Sequence, residues 1–310
     1  MTSLPTLIEL PTLAADPQAL SDWIRREASS LDDALAASGA ILIRSGSIDG
    51  VEDFDAICRS FTPELLSYVG GGSPRTRLGG KVYTSTEYVP STHIPLHIEG
   101  AYLPQPPLRI WFCCALPPSD RGQTPLGDMR RVRSRLPDNL VERFREKGVL
   151  YVTNLHDGRG FGKSWQQTYE TEDRAEVDAI LAAHAQEYQW MNDGSLRVFA
   201  RGPALRLHSR TGEAIWINQA VNWHPAHLGT ETWKRMLKVF GDPEAFPKMA
   251  FYGDGTPIDP EDIATIAAAL LAEEQVFEWQ KGDILLVDNE VIAHGRRPFS
   301  GPRSIMVALA

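Results

Sequence analysis

Short apolar runs separated by turn residues dominate the pattern of this chain. Runs of apolar and β-branched residues predict strands at 40–43, 81–86, 108–115, 276–279, 284–287 and 304–309. The segment 187–218 is also rich in strand-like patterns, with turn signals at Asn192-Asp193-Gly194 and Thr211-Gly212. The pattern therefore indicates a fold built mainly from short strands.

Helical spacing of apolar residues interrupts these runs at intervals. It predicts helices at 16–39, 51–61, 137–148, 172–185, 230–240 and 260–274. The first has clear end signals, because Asp16 can cap it, Pro17 suits its first turn and Gly39 suits its end. The segment 67–80 is rich in Gly and Ser and predicts a loop.

These elements together predict a fold class. Many short strands, with helices inserted between and flanking them, fit a mainly β fold with a double-stranded β-helix (jelly-roll) core. The sequence contains no internal repeat, low-complexity segment or obvious linker. We therefore expect residues 1–310 to form a single domain.

Composition narrows the function classes. An apolar content of 43% and a charged content of 23% are ordinary for a globular protein. The net charge of −9 argues against a nucleic-acid-binding surface. The one basic cluster, 130–135, is expected to be a solvated helix face, and docking of an acidic partner protein is the alternative.

The N-terminus and the cysteines favour a soluble cytoplasmic protein without a membrane partner. Residues 1–5 lack the regions of a signal peptide, and the longest apolar stretch, 263–272, is too short to cross a bilayer. The cysteines Cys58, Cys113 and Cys114 are odd in number and suggest no disulfide framework. We expect them to be reduced and to serve in packing.

The candidate chemistry lies in His97-Ile98-Glu99 and in the distant His294. Two imidazoles and one carboxylate can hold one face of an octahedral Fe(II) ion and leave the other face open. In a strand, residues i and i+2 point to the same side, so His97 and Glu99 can reach one metal. The H-x-E motif alone is common by chance, and a hydrogen-bonded histidine beside a solvated glutamate is the alternative.

The segment around His294 adds a second signal. Gly301-Pro302 turns the chain into the last predicted strand, which begins near Arg303. An arginine in that position can donate two hydrogen bonds to a carboxylate, although a surface arginine is the alternative. Asp288 and Asn289 can satisfy backbone groups near the site.

Several motifs together carry a resemblance. They are Val82-Tyr83-Thr84-Ser85-Thr86-Glu87-Tyr88, His97-x-Glu99, Gly122-Gln123-Thr124-Pro125-Leu126-Gly127-Asp128, Thr211-Gly212-Glu213, Asn218-Gln219, Tyr252-Gly253-Asp254-Gly255 and His294-Gly295-Arg296. From about residue 67 to its end, the chain resembles the taurine/alpha-ketoglutarate dioxygenase superfamily of Fe(II)- and 2-oxoglutarate-dependent oxygenases. Within it, the chain is most similar to the syringomycin-biosynthesis type of amino-acid hydroxylase.

The resemblance implies a cofactor and two co-substrates, namely Fe(II), 2-oxoglutarate and O₂. It also implies residue roles: His97, Glu99 and His294 as iron ligands, Arg303 and Thr124 as partners of the distal carboxylate of 2-oxoglutarate, and Arg296 and Arg297 as weaker candidates for that contact. Glu99 stands where the family more often has Asp. A glutamate at this position implies the branch of the family that acts on amino acids. It also argues against halogenation, because a halogenase needs a small residue at this position.

The expected reaction is hydroxylation of an unactivated C–H bond of an amino acid, either free or tethered to a peptidyl carrier protein. The candidate substrate residues are Arg75 and Arg296 for a carboxylate, Glu87 for an ammonium group, and Asn218 as a further polar group. For each of them, a role in tying loops together is the alternative.

Two other functions stay open on the sequence. The same cofactors could support desaturation, cyclisation or epoxidation, or the chain could be a metal-binding barrel without catalysis. Thr124 and Arg303 count against the barrel, because a scaffold does not need a co-substrate clamp. The histidine settings at 156–160 and 223–227 are expected to be a surface turn and structural histidines, with a lid and a second metal site as alternatives. The glycine-rich stretch 70–75 is expected to be a loop over the site.

Overall fold

The computed structural model of the protein describes residues 4–11, 16–45, 48, 50–68, 73–184 and 186–310. Ten α-helices lie within these residues. They are α1 (Pro17–Arg26), α2 (Ala28–Ser38), α3 (Val51–Phe61), α4 (Met129–Arg135), α5 (Asp138–Lys147), α6 (Trp165–Tyr169), α7 (Arg174–Ala183), α8 (Ala220–Trp223), α9 (Thr230–Phe240) and α10 (Pro260–Glu273). Two 3-10 turns, Pro225–Leu228 and Pro243–Ala245, flank α9.

The described part of the chain also contains eighteen strands, most of them short. They are β1 (Thr6–Glu9), β2 (Ala40–Arg44), β3 (Arg77–Gly79), β4 (Val82–Thr84), β5 (Ile94–His97), β6 (Arg109–Leu116), β7 (Asp120–Arg121), β8 (Leu126–Asp128), β9 (Val149–Leu155), β10 (Glu187–Trp190), β11 (Leu196–Gly202), β12 (Leu205–Leu207), β13 (Ala214–Trp216), β14 (Lys248–Tyr252), β15 (Asp283–Asp288), β16 (Ile292–Arg296), β17 (Phe299–Ser300) and β18 (Ser304–Leu309).

The largest sheet has seven strands in the order β1-β2-β15-β6-β18-β4-β3. Successive residues of a strand point to opposite faces. In β15, Leu285 and Val287 therefore join one apolar cluster, while Ile284 and Leu286 join another that includes side chains of α1, α2 and α3. Both faces of its central strands are buried, so this part of the sheet forms a rigid frame.

A three-stranded sheet, in the order β5-β16-β8, packs on the first of these clusters. Leu96, Leu126 and Ile292 contribute to the cluster from the smaller sheet, opposite Leu285 and Val287 of the larger one. A separate four-stranded sheet, β10-β11-β9-β14, lies next to α6, α7 and α9 in the fold and has its own apolar clusters. The protein is thus sheet-rich, with helices inserted between and around the sheets.

The helix end signals act as expected, but one predicted helix is divided. The Asp16 side chain accepts hydrogen bonds from the first-turn N–H groups of α1, and Gly39 ends α2 with φ of +78°. The predicted helix 16–39 breaks at Glu27, where no Gly or Pro signals a break. The predicted end of α7 at Ala185 lies outside the described residues.

The predicted strand 276–279 is wrong. Only Gln275 pairs with another segment, through two hydrogen bonds of 2.8 Å with Leu126. Beyond it, Phe277 and Trp279 pack edge to face with ring centroids 4.7 Å apart. The apolar spacing there reflects side chains that anchor an irregular segment. Strands β9 and β14 were not predicted, although residues 149–153 of β9 form a run of apolar, β-branched and aromatic residues.

The three cysteines pack as expected. Cys58, Cys113 and Cys114 are buried and unpaired, and burial raises the pKa of each thiol. Among the described residues, no helix combines the length and apolar character needed to cross a bilayer.

Candidate metal centre and active site

Two histidines face each other across the antiparallel pair β5 and β16. The strand register places His97 opposite His294, and their ring centroids are 4.4 Å apart. The next residue, Gly295, has no room for a side chain, because a Cβ there would lie 2.5 Å from the backbone oxygen of Ile94. Close packing of the two strands therefore sets the distance between the imidazoles.

Glu99 reaches the histidines from a turn, which corrects the expectation that it shares a strand with His97. Strand β5 ends at His97, and Glu99 and Gly100 begin a turn in which Gly100 has φ of +65°. The Glu99 N–H donates to Oδ1 of Asn289 at 2.9 Å, and Nδ2 of Asn289 donates to the Glu99 carbonyl at 3.0 Å. This support brings Oε2 of Glu99 within 3.7 Å of Nε2 of His294.

The three side chains form a compact ligand set. One ligand atom from each of His97, Glu99 and His294 lies within 4.8 Å of the other two. Nδ1 of His97 is 2.9 Å from the carbonyl of Pro95, so a proton on Nδ1 leaves the Nε2 lone pair available. Two imidazoles and a carboxylate this close together fit Fe(II).

Burial keeps both imidazoles in the form that binds a metal. It lowers the pKa of His97, and it lowers the pKa of His294 well below its ordinary value, with smaller effects of His97 and of Arg75 on His294. A neutral imidazole has a free lone pair, so these side chains need not lose a proton before they coordinate a cation.

Arg75 lies beside the carboxylate of this set. Its Nη2 is 2.5 Å from Oε2 of Glu99, and its guanidinium lies 4.3 Å from the ring centroid of Tyr68. The side chain is 2% exposed, and Nε and Nη1 have no hydrogen-bond partner among the described residues. Arg75 was expected on a substrate carboxylate. It instead pairs with a candidate metal ligand and retains two N–H groups that can bind an anion.

Thr124 and Arg303 come together in a narrow cavity that His97 and His294 also line. Arg303 donates to Oγ1 of Thr124 at 3.3 Å, to Oγ of Ser85 at 3.2 Å and to the carbonyl of Gly122 at 3.0 Å. The indole N–H of Trp279 also donates to Oγ1 of Thr124, at 3.1 Å. Burial lowers the pKa of Arg303 to about 10. No carboxylate in the described parts of the chain pairs with it, so a bound carboxylate would compensate its charge.

The narrow cavity, about 30 Å³, joins this clamp to the candidate ligands. His97 and His294 line it together with Thr124 and Arg303. Arg297 does not line it, because its guanidinium binds Glu274 with Nη2 and Oε2 3.1 Å apart. Of the arginines that the sequence offered for 2-oxoglutarate, Arg303 is therefore better placed than Arg297.

The other three candidate substrate residues hold backbone or loops. Arg296 donates to the carbonyls of Thr86, Tyr88, Val89 and Thr92 at 2.8–3.1 Å. Glu87 accepts hydrogen bonds from the hydroxyls of Thr76 and Thr84. Asn218 donates to the carbonyl of Ala204 and accepts from the N–H of Ala220. These contacts agree with the alternative that the three residues tie loops together and do not contact the substrate. Glu87 and Asn218 also line neither the narrow cavity nor the larger ones beside it.

The basic cluster in α4 is paired only in part within the chain. Arg130 pairs with Asp128, and Arg131 and Arg135 share the single carboxylate of Glu273. Among the described residues, Arg133 forms no ion pair, and its buried Nε has no hydrogen-bond partner. The cluster therefore keeps part of its positive charge, and docking of an acidic partner stays an alternative.

The histidines at 156, 224 and 227 make structural contacts, and His227 also lines the two larger cavities beside the centre. His224 is fully buried and stacks on Trp233, and Nδ1 of His227 lies 2.8 Å from the His224 carbonyl. The turn after His156 is held by Asp157, which accepts a hydrogen bond from the indole of Trp165 at 3.1 Å. The glycines 70–72 of the expected loop over the site lie outside the described residues.

Sequence reasoning missed several residues of the site. Tyr68, Ser85 and Trp279 contact the two arginines or Thr124, and two lysines, Lys163 and Lys248, line a large cavity beside the centre. Trp279 had a weak signal, since it lies in the predicted strand that leads toward β15. Nothing in the local sequence distinguishes the lysines from surface lysines.

Known proteins are similar to this chain in sequence along most of its length. The family model described as "Taurine catabolism dioxygenase TauD, TfdA family" matches residues 8–309. The dapdiamide synthesis protein DdaC of Enterobacter agglomerans is 35% identical over 279 residues, which cover 90% of this chain and 84% of that protein. A clavaminate synthase-like protein of Arabidopsis thaliana is 32% identical over 319 residues, which cover 98% of this chain and 93% of that protein.

Solved structures share the fold at low sequence identity. An asparagine oxygenase in complex with Fe(II), 2S,3S-3-hydroxyasparagine and succinate has a TM-score of 0.57 and 13% identity, with 95% of this chain and 83% of that chain covered. PvcB from Pseudomonas aeruginosa has a TM-score of 0.53 and 16% identity, with 98% and 84% covered. At these identities the likeness concerns the fold alone.

Proposed function

The chain belongs to the TauD, TfdA family of dioxygenases, and on that premise we propose that it hydroxylates an unactivated C–H bond of an amino-acid-like substrate. As a member of this family it is an oxidoreductase whose cofactor is Fe(II) and whose co-substrates are 2-oxoglutarate and O₂. The overall reaction places one oxygen atom of O₂ in the product and the other in succinate, with release of CO₂.

One observation carries the proposal: two of the three candidate ligands, His97 and His294, line the same narrow cavity as Arg303, which pairs with no carboxylate of the described residues. His97, Glu99 and His294 would hold Fe(II), which when bound supplies the oxidation chemistry that protein side chains lack. Arg303 and Thr124 would bind the distal carboxylate of 2-oxoglutarate. A metal-binding barrel without catalysis would not need Arg303 and Thr124 beside the metal ligands.

The surrounding side chains would orient the ligands and exclude water. Asn289 holds the backbone of Glu99, and Arg75 fixes one carboxylate oxygen. Phe112 lines the narrow cavity and packs its ring edge against His294, with centroids 5.1 Å apart. Such a buried, apolar surrounding strengthens charge interactions with a bound co-substrate.

The amino-acid character of the substrate rests on coarser support. The asparagine oxygenase with a similar fold contains a hydroxylated amino acid, and the relative DdaC acts in dapdiamide synthesis. A glutamate ligand at position 99 agrees with the branch that the sequence resembles. A peptidyl carrier protein as donor of the substrate, and a cytoplasmic location, remain predictions.

The core is proposed to be a double-stranded β-helix within a single domain of residues 1–310. The seven-stranded and three-stranded sheets share one apolar cluster, as two sheets of a jelly roll do. The candidate ligands then lie on the smaller sheet and on the turn after β5.

The test is a product screen with the iron-loaded protein, 2-oxoglutarate and O₂. Amino acids are offered free and loaded on a peptidyl carrier, and succinate and product mass are measured. We expect succinate together with a gain of one oxygen atom. Loss of two hydrogens would indicate desaturation or cyclisation, and no succinate with any substrate would overturn the proposal. His97→Ala serves as the inactive control.

A further inference from the structure

Two larger cavities adjoin each other beyond the candidate metal centre. The inner one, about 370 Å³, is lined by His97 and Glu99, and the outer one, about 560 Å³, is lined by none of the three candidate ligands. They share seven lining residues, namely Tyr88, Tyr102, Asn222, Trp223, His227, Leu228 and Lys248. Pockets of roughly 300–1,000 Å³ hold drug-sized ligands. The combined space therefore exceeds the needs of a single free amino acid.

The wall between the inner and outer cavities is aromatic. The ring of Trp223 contacts Tyr102 and Tyr151 with centroid distances of 5.2 and 5.3 Å. Val198 and Pro247 add apolar surface to the outer cavity. Rigid aromatic and apolar walls suit a hydrocarbon or acyl chain more than a strongly hydrated group.

Positive charge collects in the outer cavity. Lys163 and Lys248 both line it, and within the described residues no Asp or Glu does. Nζ of Lys248 lies 4.8 Å from the ring centroid of Trp223 and 3.5 Å from the hydroxyl of Tyr88. Burial and, to a smaller extent, the charge of Lys248 lower the pKa of Lys163 to about 8, against the opposing effect of Glu170.

An anion between the lysines would relieve this repulsion. A charged group that has lost water gains most from a ligand of opposite charge, because the interaction is screened less than at the surface. Lys248 lies on the surface shared by the two cavities, and Lys163 lines the outer one alone, so this arrangement is the complement of a molecule whose anion lies beyond its reacting end.

We infer that the substrate is an extended amino-acid derivative, whose end remote from the metal centre carries a carboxylate or phosphate that Lys163 and Lys248 bind. The placement of its reacting end in the inner cavity rests on the proposed function. The anion site in the outer cavity does not, and a binding experiment without turnover tests it separately.

The experiment measures binding to the Fe(II)- and 2-oxoglutarate-loaded protein without O₂, through the fluorescence of its tryptophans, of which Trp223 lines both cavities. The ligands are leucine, leucyl-leucine and trileucine, each as the acid and as the C-terminal amide. A second arm compares the leucyl thioesters of pantetheine and of 4′-phosphopantetheine. Succinate formed under O₂ is measured in parallel, so failure of the proposed function is recognised independently.

The wild-type protein is expected to bind the longer acids at least about tenfold more tightly than their amides, as charge-assisted hydrogen bonds allow. Lys163→Gln and Lys248→Gln should each reduce this preference, and the double variant should abolish it. Lys163→Arg should retain most of it, and the exposed Lys238→Gln is the matched control.

The outcomes separate the possible sources of the anion. A phosphopantetheine thioester that binds more tightly than every acid, with its advantage lost in the double variant, identifies the anion as a phosphate. Equal binding of acids and amides, together with no advantage for the phosphate, would overturn the inference. So would a preference that survives in the double variant, or binding of free leucine as tight as that of the longer acids.

Discussion

The active-site region has a metal end, formed by His97, Glu99 and His294, and a substrate end, formed by the outer cavity. The two ends are constructed differently. His97 and His294 project from paired strands, and the turn of Glu99 is clamped by one buried amide. The outer cavity is instead lined by parts of β9, β11 and β14 together with α6, α9, the turn Pro225–Leu228 and the loop that holds Lys163. Strand register fixes the two histidines and the Asn289 amide fixes Glu99, whereas the outer cavity depends on side chains from several separate segments.

This difference separates chemistry from selectivity. A change of size or charge among the outer residues leaves the hydrogen bonds between β5 and β16 untouched, so substrate preference can vary while the ligand geometry is retained. The metal end should therefore fail in an all-or-none manner, and more distant substitutions should give graded effects.

The largest expected effect comes from the ligands themselves. His97→Ala and His294→Ala each remove one of three donors, and we expect turnover to fall at least about a thousandfold with loss of tight Fe(II) binding. Iron content after desalting and succinate release measure the two effects. The exposed His184→Ala is the control. Tight iron binding and turnover in either ligand variant would show that the metal lies elsewhere.

The next largest effect concerns the co-substrate clamp. Arg303→Ala should raise the KM for 2-oxoglutarate by about a hundredfold, since it removes a buried partner able to make two charge-assisted hydrogen bonds. Iron affinity should change little. Arg297→Ala is the matched control, because that arginine pairs with Glu274. An unchanged KM in Arg303→Ala would move the role to Arg296, which also lines the narrow cavity.

The contrast between the two ends also explains what could be read from the sequence. The candidate ligands were identifiable because few residue types suit Fe(II), although the strand argument for Glu99 was wrong, since a turn places it. Arg303 and Arg296 lie in one segment, and only their hydrogen-bond partners in the fold distinguish them. Lys163 and Lys248 are 85 positions apart, and lysine is ordinarily a surface residue.

We expect acid to destabilise the protein through His224, a buried histidine that is not a candidate metal ligand. Burial lowers the pKa of His224 from 6.5 to about 4, so the unfolded chain binds a proton more readily than the folded one. Its contribution to stability is present above about pH 6.5 and is lost as the pH falls toward 4. Between pH 7 and pH 5 the loss should be about 2 kcal/mol, a roughly thirtyfold change in the unfolding equilibrium.

Urea unfolding of the iron-loaded protein at these two pH values measures this loss. His224→Gln should be less stable at pH 7 but should show a smaller difference between pH 7 and pH 5 than the wild type. His184→Ala provides the control for an exposed histidine. An unchanged pH difference in His224→Gln would show that other groups cause the acid sensitivity.

The smallest expected effect lies at the border between the two ends. Trp279 packs against Phe277 and donates its indole N–H to Thr124, whose hydroxyl also accepts from Arg303. Trp279→Phe keeps an aromatic ring but removes this donor, so Thr124 is held less firmly. One neutral hydrogen bond contributes about 1 kcal/mol, which predicts a roughly fivefold rise in the KM for 2-oxoglutarate. Binding of the leucyl peptides should stay unchanged, because Trp279 lines neither large cavity. A parallel loss of peptide affinity would mean that the two ends are coupled, and the separation of chemistry from selectivity would then fail at this residue.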